Sequence, residues 1–420
     1  MLKEIEKQIN DSSLGKVVKL KGKMNLDFTM DNSFTVGHLP FKSIIGIKRS
    51  DVIIDGSEAE IVINLKETFK GDWSLFYLYP NASNVELRNL TIKVIINNSI
   101  HCTRMFAVIY NTAFGLKINN CHIELFSNKQ INLYGVYSNG NLDTHLDTRT
   151  DNLIIDNSFI KISCLSNEHA RCCSVYGIYN YLSNSTSVQN NYIYVINNGN
   201  SANQKAIGIY TNGRFGRFIG NNIKSNADYP EGFEQAHASA IGFINDGSYS
   251  IISNNNIIAE WAGCAIGLDN KGEYCIINAN KVLSTHTICG RSIRNTGDKA
   301  NITGNIITST SRNAKLIEHN ASGSIISHNI METLMPEQEC RSGCGIYAIG
   351  GNMSNNNITE NIIYNVLNCG LFVDRNVGIF SNNQVVSFLS TQNKASSDDI
   401  YLLERLSEKN IRSIKCKTEG

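Results

Sequence analysis

A short motif that recurs along the chain constrains the fold more than any other feature. An asparagine followed by two or three apolar or β-branched residues marks eleven positions, which are Asn89, Asn120, Asn157, Asn191, Asn222, Asn256, Asn280, Asn305, Asn329, Asn361 and Asn383. The shortest spacings are 22 to 25 residues, and the longer ones exceed them by about ten. A period of this length predicts a solenoid of stacked coils, in which the longer spacings are coils with an inserted loop.

A second short apolar run lies in each coil, and an asparagine usually follows it within two residues. Examples are VYGIY at 175–179, AIGIY at 206–210, AIGFI at 240–244 and AIGLD at 265–269. Asparagine tolerates the left-handed backbone of a tight corner, and stacked asparagine side chains can bond one another as a ladder. The pattern predicts an all-β fold, a right-handed parallel β-helix of about 11 to 13 coils.

Helical periodicity is confined to the two ends of the chain. Leu2, Ile5 and Ile9 fall on one face of the segment LKEIEKQI, and YLLERLSEKNI near 401–411 is also amphipathic. Open solenoids need caps over their exposed edges. We therefore predict one complete domain with an N-terminal capping helix in 1–15, the β-helix in 16–392 and a C-terminal cap or tail in 393–420.

Charge and hydropathy exclude several classes of partner. Lys and Arg number 38 against 37 Asp and Glu, so no basic surface is predicted for nucleic acid or for a membrane. The chain has neither an apolar run long enough to span a bilayer nor a signal peptide at its start. We expect a protein that stays in the cytoplasm or leaves the cell by a non-classical route.

Cysteine usage predicts buried free thiols. The chain has 12 cysteines but no CxxC pair, and Cys264, Cys289 and Cys369 occupy equivalent places that we expect to face inwards.

The repeat, together with the opening segments GKVVKLKGKMNLD and IIGIKRSDVIIDG, resembles the pectin-lyase-like superfamily of right-handed parallel β-helices. The resemblance covers essentially residues 1–390. It implies that the protein handles a polysaccharide, although the same fold hosts lyases, hydrolases, epimerases, transferases and adhesins. Neither the paired aspartates of polygalacturonases nor the Arg and Lys pair of pectate lyases is present.

One stretch, SNNNIIAEWAGCAIGL at 253–268, is similar to a coil of the inulin fructotransferases. The two carboxylates of that family fall here on Asn255 and Ile266. Because neither residue has a carboxylate, the catalytic groups of that family are missing here. A fructosyltransferase remains only as a variant of the main prediction.

Strand alternation predicts two outward columns of side chains in the second apolar run. One column reads Gly177, Gly208, Gly242, Gly267 and Ser292, and the next reads Tyr179, Tyr210, Ile244, Asp269, Arg294 and Glu318. A smooth floor, with tyrosines at one end and charges at the other, is typical of a saccharide groove. Alternatively, the small residues ease packing and the charges form a solvated ladder.

The charged column supplies the candidate catalytic residues. We predict Asp269 and Glu318, about 10 Å apart at their backbones, as acid and base of a glycoside hydrolase or polysaccharide lyase, with Arg294 orienting the substrate. Candidate substrate-binding residues are Tyr179, Tyr210, Glu234, His237, Glu260 and Trp261. Glu234 and His237 lie in the insertion NADYPEGFEQAHAS at 226–239, which could wall the groove.

No cofactor or metal site is predicted, because no known cofactor motif occurs. Calcium is the one alternative, if Asp143, Asp147 and Asp151 converge. The expected partner is a polysaccharide or oligosaccharide. A non-catalytic glycan-binding or structural β-helix is the alternative from another class, and assembly into a homotrimer is possible for either.

Overall fold

The computed structural model describes most of the chain in separate segments. They are residues 2–28, 34–35, 41–65, 71–97, 105–129, 131–140, 150–166, 173–198, 204–227, 239–260, 263–285, 289–311, 313–334, 342–348, 354–364, 369–373, 378–386 and 400–402. The chain has two compact units. The first comprises residues 1–217 and 221–238, and the second comprises residues 218–220 and 239–420.

The first unit begins with the predicted helix, which spans Leu2–Asn10. Its Ile5 and Ile9 are buried, as the amphipathic pattern requires. Asn10 Nδ2 donates a hydrogen bond of 2.8 Å to the carbonyl of Gly46, and Glu6 Oε1 accepts one of 3.1 Å from the Gly46 amide. These bonds fix the helix against the strand Phe41–Ile47, so that it covers an edge that would otherwise be open.

The strands of the first unit repeat in the order long, short, middle, and each pairs in parallel with its counterpart in the next coil. The long strands are Phe41–Ile47, Asp72–Leu78, Met105–Asn111, Asn132–Asn139, Ser174–Tyr181 and Lys205–Thr211. The short strands are Glu86–Arg88, Lys117–Asn119, Ile154–Asp156 and Ser187–Gln189. The middle strands are Thr91–Ile96, His122–Ser127, Phe159–Cys164, Tyr192–Asn197 and Asn222–Asn226.

Three further strands lie in the first coils of this unit. Val17–Phe28 and Ile53–Leu65 pair in parallel and span the lengths of a short and a middle strand together. Phe34–Thr35 pairs antiparallel with Phe41–Ile47.

The second unit repeats the same order of strands. Its long strands are Ser239–Asn245, Cys264–Asn270, Cys289–Asn295, Asn313–His319, Ser342–Ala348, Cys369–Val373 and Ile400–Leu402. Its short strands are Ile251–Ser253, Ile276–Asn278, Asn301–Thr303, Ile325–Ser327, Asn357–Thr359 and Ile379–Ser381. Its middle strands are Asn256–Glu260, Lys281–Thr285, Ile306–Ser309, Ile330–Thr333, Ile362–Tyr364 and Gln384–Val386. Arg217–Ile219 begins in the first unit and ends in the second.

The fold is therefore an all-β parallel β-helix, as the sequence predicts. Residues at the predicted period pair directly, since Ile276 pairs with Asn301 and Asn301 with Ile325, at separations of 25 and 24 residues. At the C-terminus, Ile400–Leu402 is a strand that pairs with Cys369–Val373. Tyr401 and Leu402 therefore do not begin a helix, and the rest of the predicted cap lies outside the described residues.

The core consists of one slice of apolar side chains per coil. The middle strand His122–Ser127 shows the pattern. Ile123 and Leu125 are buried while His122 is exposed, as expected for a strand with one solvent-exposed face. The short strands of the second unit contribute a column of completely buried isoleucines, which are Ile252, Ile277, Ile302, Ile326 and Ile358. Each added coil thus brings its own share of core.

Buried asparagines connect successive coils at the bend between the short and middle strands. In the second unit they are Asn255, Asn280, Asn305, Asn329, Asn361 and Asn383. Each of them after Asn255 accepts from the preceding one, as where Asn280 donates its backbone N–H (2.9 Å) and its Nδ2 (3.0 Å) to Asn305 Oδ1. These bonds satisfy backbone groups at a bend where no strand partner is available.

The motif asparagine does not always occupy this buried place. In the first unit Asn89, Asn120 and Asn157 lie one residue earlier in the bend, with positive φ angles of 54°, 51° and 49°. Asn222 and Asn256 instead begin middle strands, one residue after the buried place. The motif asparagine therefore serves three adjacent places, which are the left-handed corner, the buried column and the start of the middle strand.

Candidate functional site

The three predicted catalytic residues lie in one outward column of the second unit. Asp269 pairs in register with Arg294, and Arg294 with Glu318. The neighbours Leu268, Ile293 and Ile317 are completely buried, so the column faces away from the core. The alignment made from the sequence is confirmed in this part of the chain.

Asp269 and Arg294 form a bidentate ion pair. Arg294 Nε donates to Asp269 Oδ1 at 2.7 Å, and Nη2 donates to Oδ2. Only 2% of the Asp269 side chain is exposed, against 31% for Arg294. The bond to Asp269 is the main cause that raises the pKa of Arg294. Both carboxylate oxygens of Asp269 are therefore engaged by one guanidinium.

Glu318 lies between two cations that sequence reasoning missed. Lys315 Nζ donates to its Oε1 at 2.6 Å, and Arg291 Nε lies within ion-pair distance of its Oε2 at an angle unsuited to a hydrogen bond. Side-chain exposure is 24% for Arg291, 26% for Lys315 and 20% for Glu318. We call Asp269, Arg291, Arg294, Lys315 and Glu318 the charged patch.

Arg291 and Lys315 were missed because the alternation of the long strands resets in mid-strand. Ser292 and Ile293 are both completely buried, as are Leu316 and Ile317. Two consecutive inward residues place a second outward column three residues before the first. The signal in the sequence was the pair of polar residues at equivalent places, Arg291 and Lys315, in register with Ile266.

The predicted glycine floor is wrong for the same reason. A Cβ built on Gly267 would lie 2.3 Å from Val282 Cγ1, and one on Gly242 would lie 2.2 Å from Ile257 Cγ2. Ser292, at the equivalent place, bonds inward to Ser284 Oγ at 3.0 Å and to the carbonyl of Thr308 at 2.7 Å. The small residues let the long strand approach the middle strand across the core.

The prediction of buried free thiols is confirmed for the five described cysteines Cys121, Cys164, Cys173, Cys275 and Cys344, but it is wrong for Cys264 and Cys289. Cys264 and Cys289 pair in register, but they face outwards at the start of their strands, and Arg291 Nη1 donates to Cys264 Sγ at 3.3 Å. Cys369 pairs with Cys344 and belongs to a different column. The mid-strand reset again explains the error, because Ala265 and not Cys264 is completely buried.

Tyr179 and Tyr210 lie in the first unit, in a stack of tyrosine rings on the outward face of the long strands. The stack comprises Tyr77, Tyr110, Tyr137, Tyr179 and Tyr210, with centroid distances of 4.7 to 5.4 Å and interplanar angles of 10° to 20°. Tyr134 and Tyr176 stack beside it and meet it edge-on. We call these seven residues the tyrosine stack.

The geometry of the tyrosine stack limits what it can offer a ligand. Tyr179 is sandwiched between Tyr137 and Tyr210, so its ring faces are covered, and a saccharide would meet ring edges and hydroxyl groups. Tyr77 is completely buried, and burial raises its pKa to about 12. The predicted stacking of a sugar ring on Tyr179 is therefore not available in this arrangement.

The other predicted binding residues fall elsewhere. Glu260 is half-buried at the end of the middle strand Asn256–Glu260, where it pairs in register with Thr285. Glu234, His237 and Trp261 lie outside the described residues, as do Asp143 and Asp147 of the calcium alternative. Asp151 Oδ1 accepts a hydrogen bond of 2.8 Å from the amide of Asn184. No three His, Cys, Asp or Glu side chains come together as metal ligands within the described segments.

A shallow groove that the sequence did not suggest lies on the first unit. It has a volume of about 560 Å³ and is lined by Ser57, Asn89, Thr91, Asn120, Cys121, His122, Asn157 and Phe159. Asn120 Nδ2 donates to Asn89 Oδ1 at 2.8 Å, and the rings of His122 and Phe159 stack at 4.6 Å. Asn89 Nδ2 in turn donates to Ser57 Oγ, so part of the polar lining is already bonded and the groove is a weaker candidate than the charged patch.

The comparisons with known proteins bear on the fold. No protein-family model matches the chain, and no curated protein matches its sequence. Among solved structures, the A-module of the mannuronan C-5 epimerase AlgE6 of Azotobacter vinelandii has a TM-score of 0.53 at 11% identity, over 94% of this chain and 92% of that one. The two proteins share the parallel β-helix fold.

A second likeness is to a phage protein. A mutant tailspike protein of the E. coli bacteriophage HK620, solved in complex with a pentasaccharide, has a TM-score of 0.51 at 13% identity. The match covers 90% of this chain and 65% of the tailspike chain. At these identities the likeness establishes the fold, and function has to be argued from the site. In the described segments, no helix has the length and apolar character needed to cross a bilayer.

Proposed function

We propose that this protein is a carbohydrate-active β-helix that binds an acidic polysaccharide at the charged patch and remodels it by acid–base chemistry. One observation carries the proposal. Three cations and two carboxylates, each at least two thirds buried, are packed on the outward face of three adjacent long strands. Taking charges out of water is costly, so such a cluster is more than a solvated ladder.

The balance of charge in the patch favours an anionic ligand. Arg291, Arg294 and Lys315 outnumber Asp269 and Glu318 by one positive charge. Arginine matches the geometry of a carboxylate or sulfate with two parallel hydrogen bonds, and it is weakly hydrated. A uronate or another acidic sugar is therefore the expected substrate, and the β-helix neighbour that acts on mannuronan agrees with this class.

The two carboxylates differ in what they can do. Asp269 is almost completely buried, and both of its carboxylate oxygens accept hydrogen bonds from Arg294. We therefore assign it as the positioning residue that holds the guanidinium towards the ligand. Glu318 is more exposed and is the carboxylate that can reach a substrate. Cations that neutralise a sugar carboxylate also acidify the adjacent C–H, and a nearby base can then remove that proton. This chemistry favours a lyase over a hydrolase.

The fructotransferase variant gains no support from the same region. The Asn255 amide is used within the column of asparagines, where its Nδ2 donates to the carbonyl of Phe218 at 2.9 Å and to Asn280 Oδ1 at 3.0 Å.

The proposal is tested on a panel of acidic and neutral polysaccharides, with binding measured by array and products by mass spectrometry. We expect binding to acidic members alone and an unsaturated product from one of them. Glu318→Gln should lower turnover at least about 100-fold with binding retained, as loss of a general base does. Arg294→Gln should weaken binding about 10-fold or more, as loss of a charge-assisted contact does.

A matched control is available in the first unit. Arg88 forms a similar pair with Asp55, with Nη2–Oδ2 at 2.9 Å and 32% of its side chain exposed. Arg88→Gln should leave binding and turnover unchanged. Preference for neutral glycans, or equal effects of the two arginine variants, would contradict the proposal.

A non-catalytic binding protein is the second candidate. Both carboxylates form ion pairs within the chain, which favours this candidate. Glu318 would have to break its contacts with Lys315 and Arg291 before it could act as a base. In that case Arg294→Gln weakens binding, but no product forms with any glycan.

A further inference from the structure

Two cysteines lie on adjacent strands at the edge of the charged patch. Cys264 and Cys289 are the first residues of their long strands and pair in register. Both are free and partly exposed. The remaining described cysteine side chains, Cys121, Cys164, Cys173, Cys275 and Cys344, are buried. A small reagent from solvent would therefore reach this pair before those five.

The geometry of the pair suits a covalent link. Adjacent parallel strands lie about 4.8 Å apart, which is within the range of about 4.4 to 6.8 Å for the Cα atoms of a disulfide. No strand has to move to another register for the two sulfur atoms to meet.

The surrounding groups shift the pKa values of the two thiols in opposite directions. The neighbouring Cys264 thiol, together with the charges of Arg291 and Lys315, lowers the pKa of Cys289, although burial and Glu318 oppose this. The Cys289 thiol and burial raise the pKa of Cys264, against the effects of Arg291 and Arg294. Cys289 is thus the better nucleophile of the two thiols at neutral pH.

We propose that Cys264 and Cys289 form an oxidation site, which a low-molecular-weight disulfide converts reversibly into an intramolecular disulfide. The Cys289 thiolate attacks one sulfur of the small disulfide, whose S–S bond breaks and releases one small thiolate. Cys264 then gives its proton to solvent and attacks Cys289 Sγ, which releases the second small thiol. Two protein thiols and one small disulfide become one protein disulfide and two small thiols.

The test uses the reduced full-length protein in glutathione buffers of graded composition. Thiols are trapped by alkylation at each ratio, and the digested protein is mapped by mass spectrometry. The expected product is a peptide pair joined through Cys264 and Cys289. Cys264→Ser should instead accumulate glutathione on Cys289, while Cys289→Ser should react at Cys264 about 10-fold more slowly at pH 7. Cys275→Ser, which changes a buried thiol, should leave the result unchanged.

A second measurement does not depend on any variant. The rate at which iodoacetamide alkylates Cys289 should rise at a pH well below the value of about 8.5 that is usual for a free thiol, because its pKa is lowered. The proposal is overturned if the wild type stops at a glutathione adduct on Cys289 at every ratio. It is also overturned if the 264–289 link forms only after denaturation.

Discussion

At the scale of single residues, the packing across the β-helix decides where small side chains are required. Gly267 faces the core at the point where the long strand bends towards the middle strand Lys281–Thr285. A methyl group there would lie 2.3 Å from Val282 Cγ1 and 2.6 Å from the carbonyl oxygen of Ser292. The backbone oxygen cannot move without disturbing the neighbouring coil, so glycine is a steric requirement.

Gly267→Ala should therefore lower the free energy of unfolding by about 1 to 3 kcal/mol, the usual cost of overpacking a core. Urea denaturation measures this. Gly15→Ala is the control, because a Cβ at Gly15 meets nothing within 4 Å. If both variants unfold at the same urea concentration, the close approach at Gly267 is not a constraint.

At the scale of structural elements, the column of asparagines holds the bends of successive coils in register. Asn305 accepts from the backbone N–H and the Nδ2 of Asn280, and its own Nδ2 donates to the carbonyl of Ile277 and to Asn329 Oδ1. These asparagines are buried, so removing the Asn305 amide would take the printed acceptor from the Asn280 backbone N–H in a site that water does not reach. It would also remove one hydrogen bond each from Asn280 Nδ2, the Ile277 carbonyl and Asn329 Oδ1. The column is therefore a stronger link between coils than the exposed contacts.

Asn305→Ala should lower the free energy of unfolding by about 2 to 4 kcal/mol, because it breaks four hydrogen bonds between buried groups and takes the acceptor from the buried Asn280 N–H. Thermal and urea unfolding both report this. Asn320→Ala is the matched control, since Asn320 is exposed and its backbone N–H bonds to the Asn295 carbonyl in either variant. Similar losses for the two variants would show that burial of the amide is not what matters.

At the scale of the whole molecule, titratable groups in the two units limit the pH range of stability. In the second unit burial lowers the pKa of His319, which lies between Asn295 and Asn356. In the first unit burial raises the pKa of Tyr77 to about 12. A predicted homotrimer also belongs to this scale, and sedimentation would test it.

The signs of the two effects follow from proton binding by the unfolded chain. Below about pH 6.5 the unfolded chain protonates its histidine while folded His319 resists, so stability falls on acidification. Above about pH 10 the unfolded chain ionises its tyrosine while folded Tyr77 does not, and about 2 kcal/mol is lost by pH 12. Denaturation across pH should show that Tyr77→Phe flattens the alkaline decline and that Tyr192→Phe, at an exposed ring, does not.

The fold could be predicted because the same short sequence features recur in successive coils. The spacing of the asparagine motif, the scarcity of helical periodicity and the apolar runs are each readable within one coil, and stacking identical coils is the one arrangement that buries them all. The charged column Asp269, Arg294 and Glu318 was also predicted, because residues in register in a solenoid are a fixed number of residues apart.

The tertiary structure alone decided what the side chains do. A bend in each long strand turns the glycines inwards and brings Arg291 and Lys315 beside Glu318, and no local pattern shows where strand alternation resets. It also turns Cys264 and Cys289 outwards, and the tyrosine stack covers the faces of its own rings. Sequence period determines which residues are neighbours along the stack, whereas packing across the core determines which way they face.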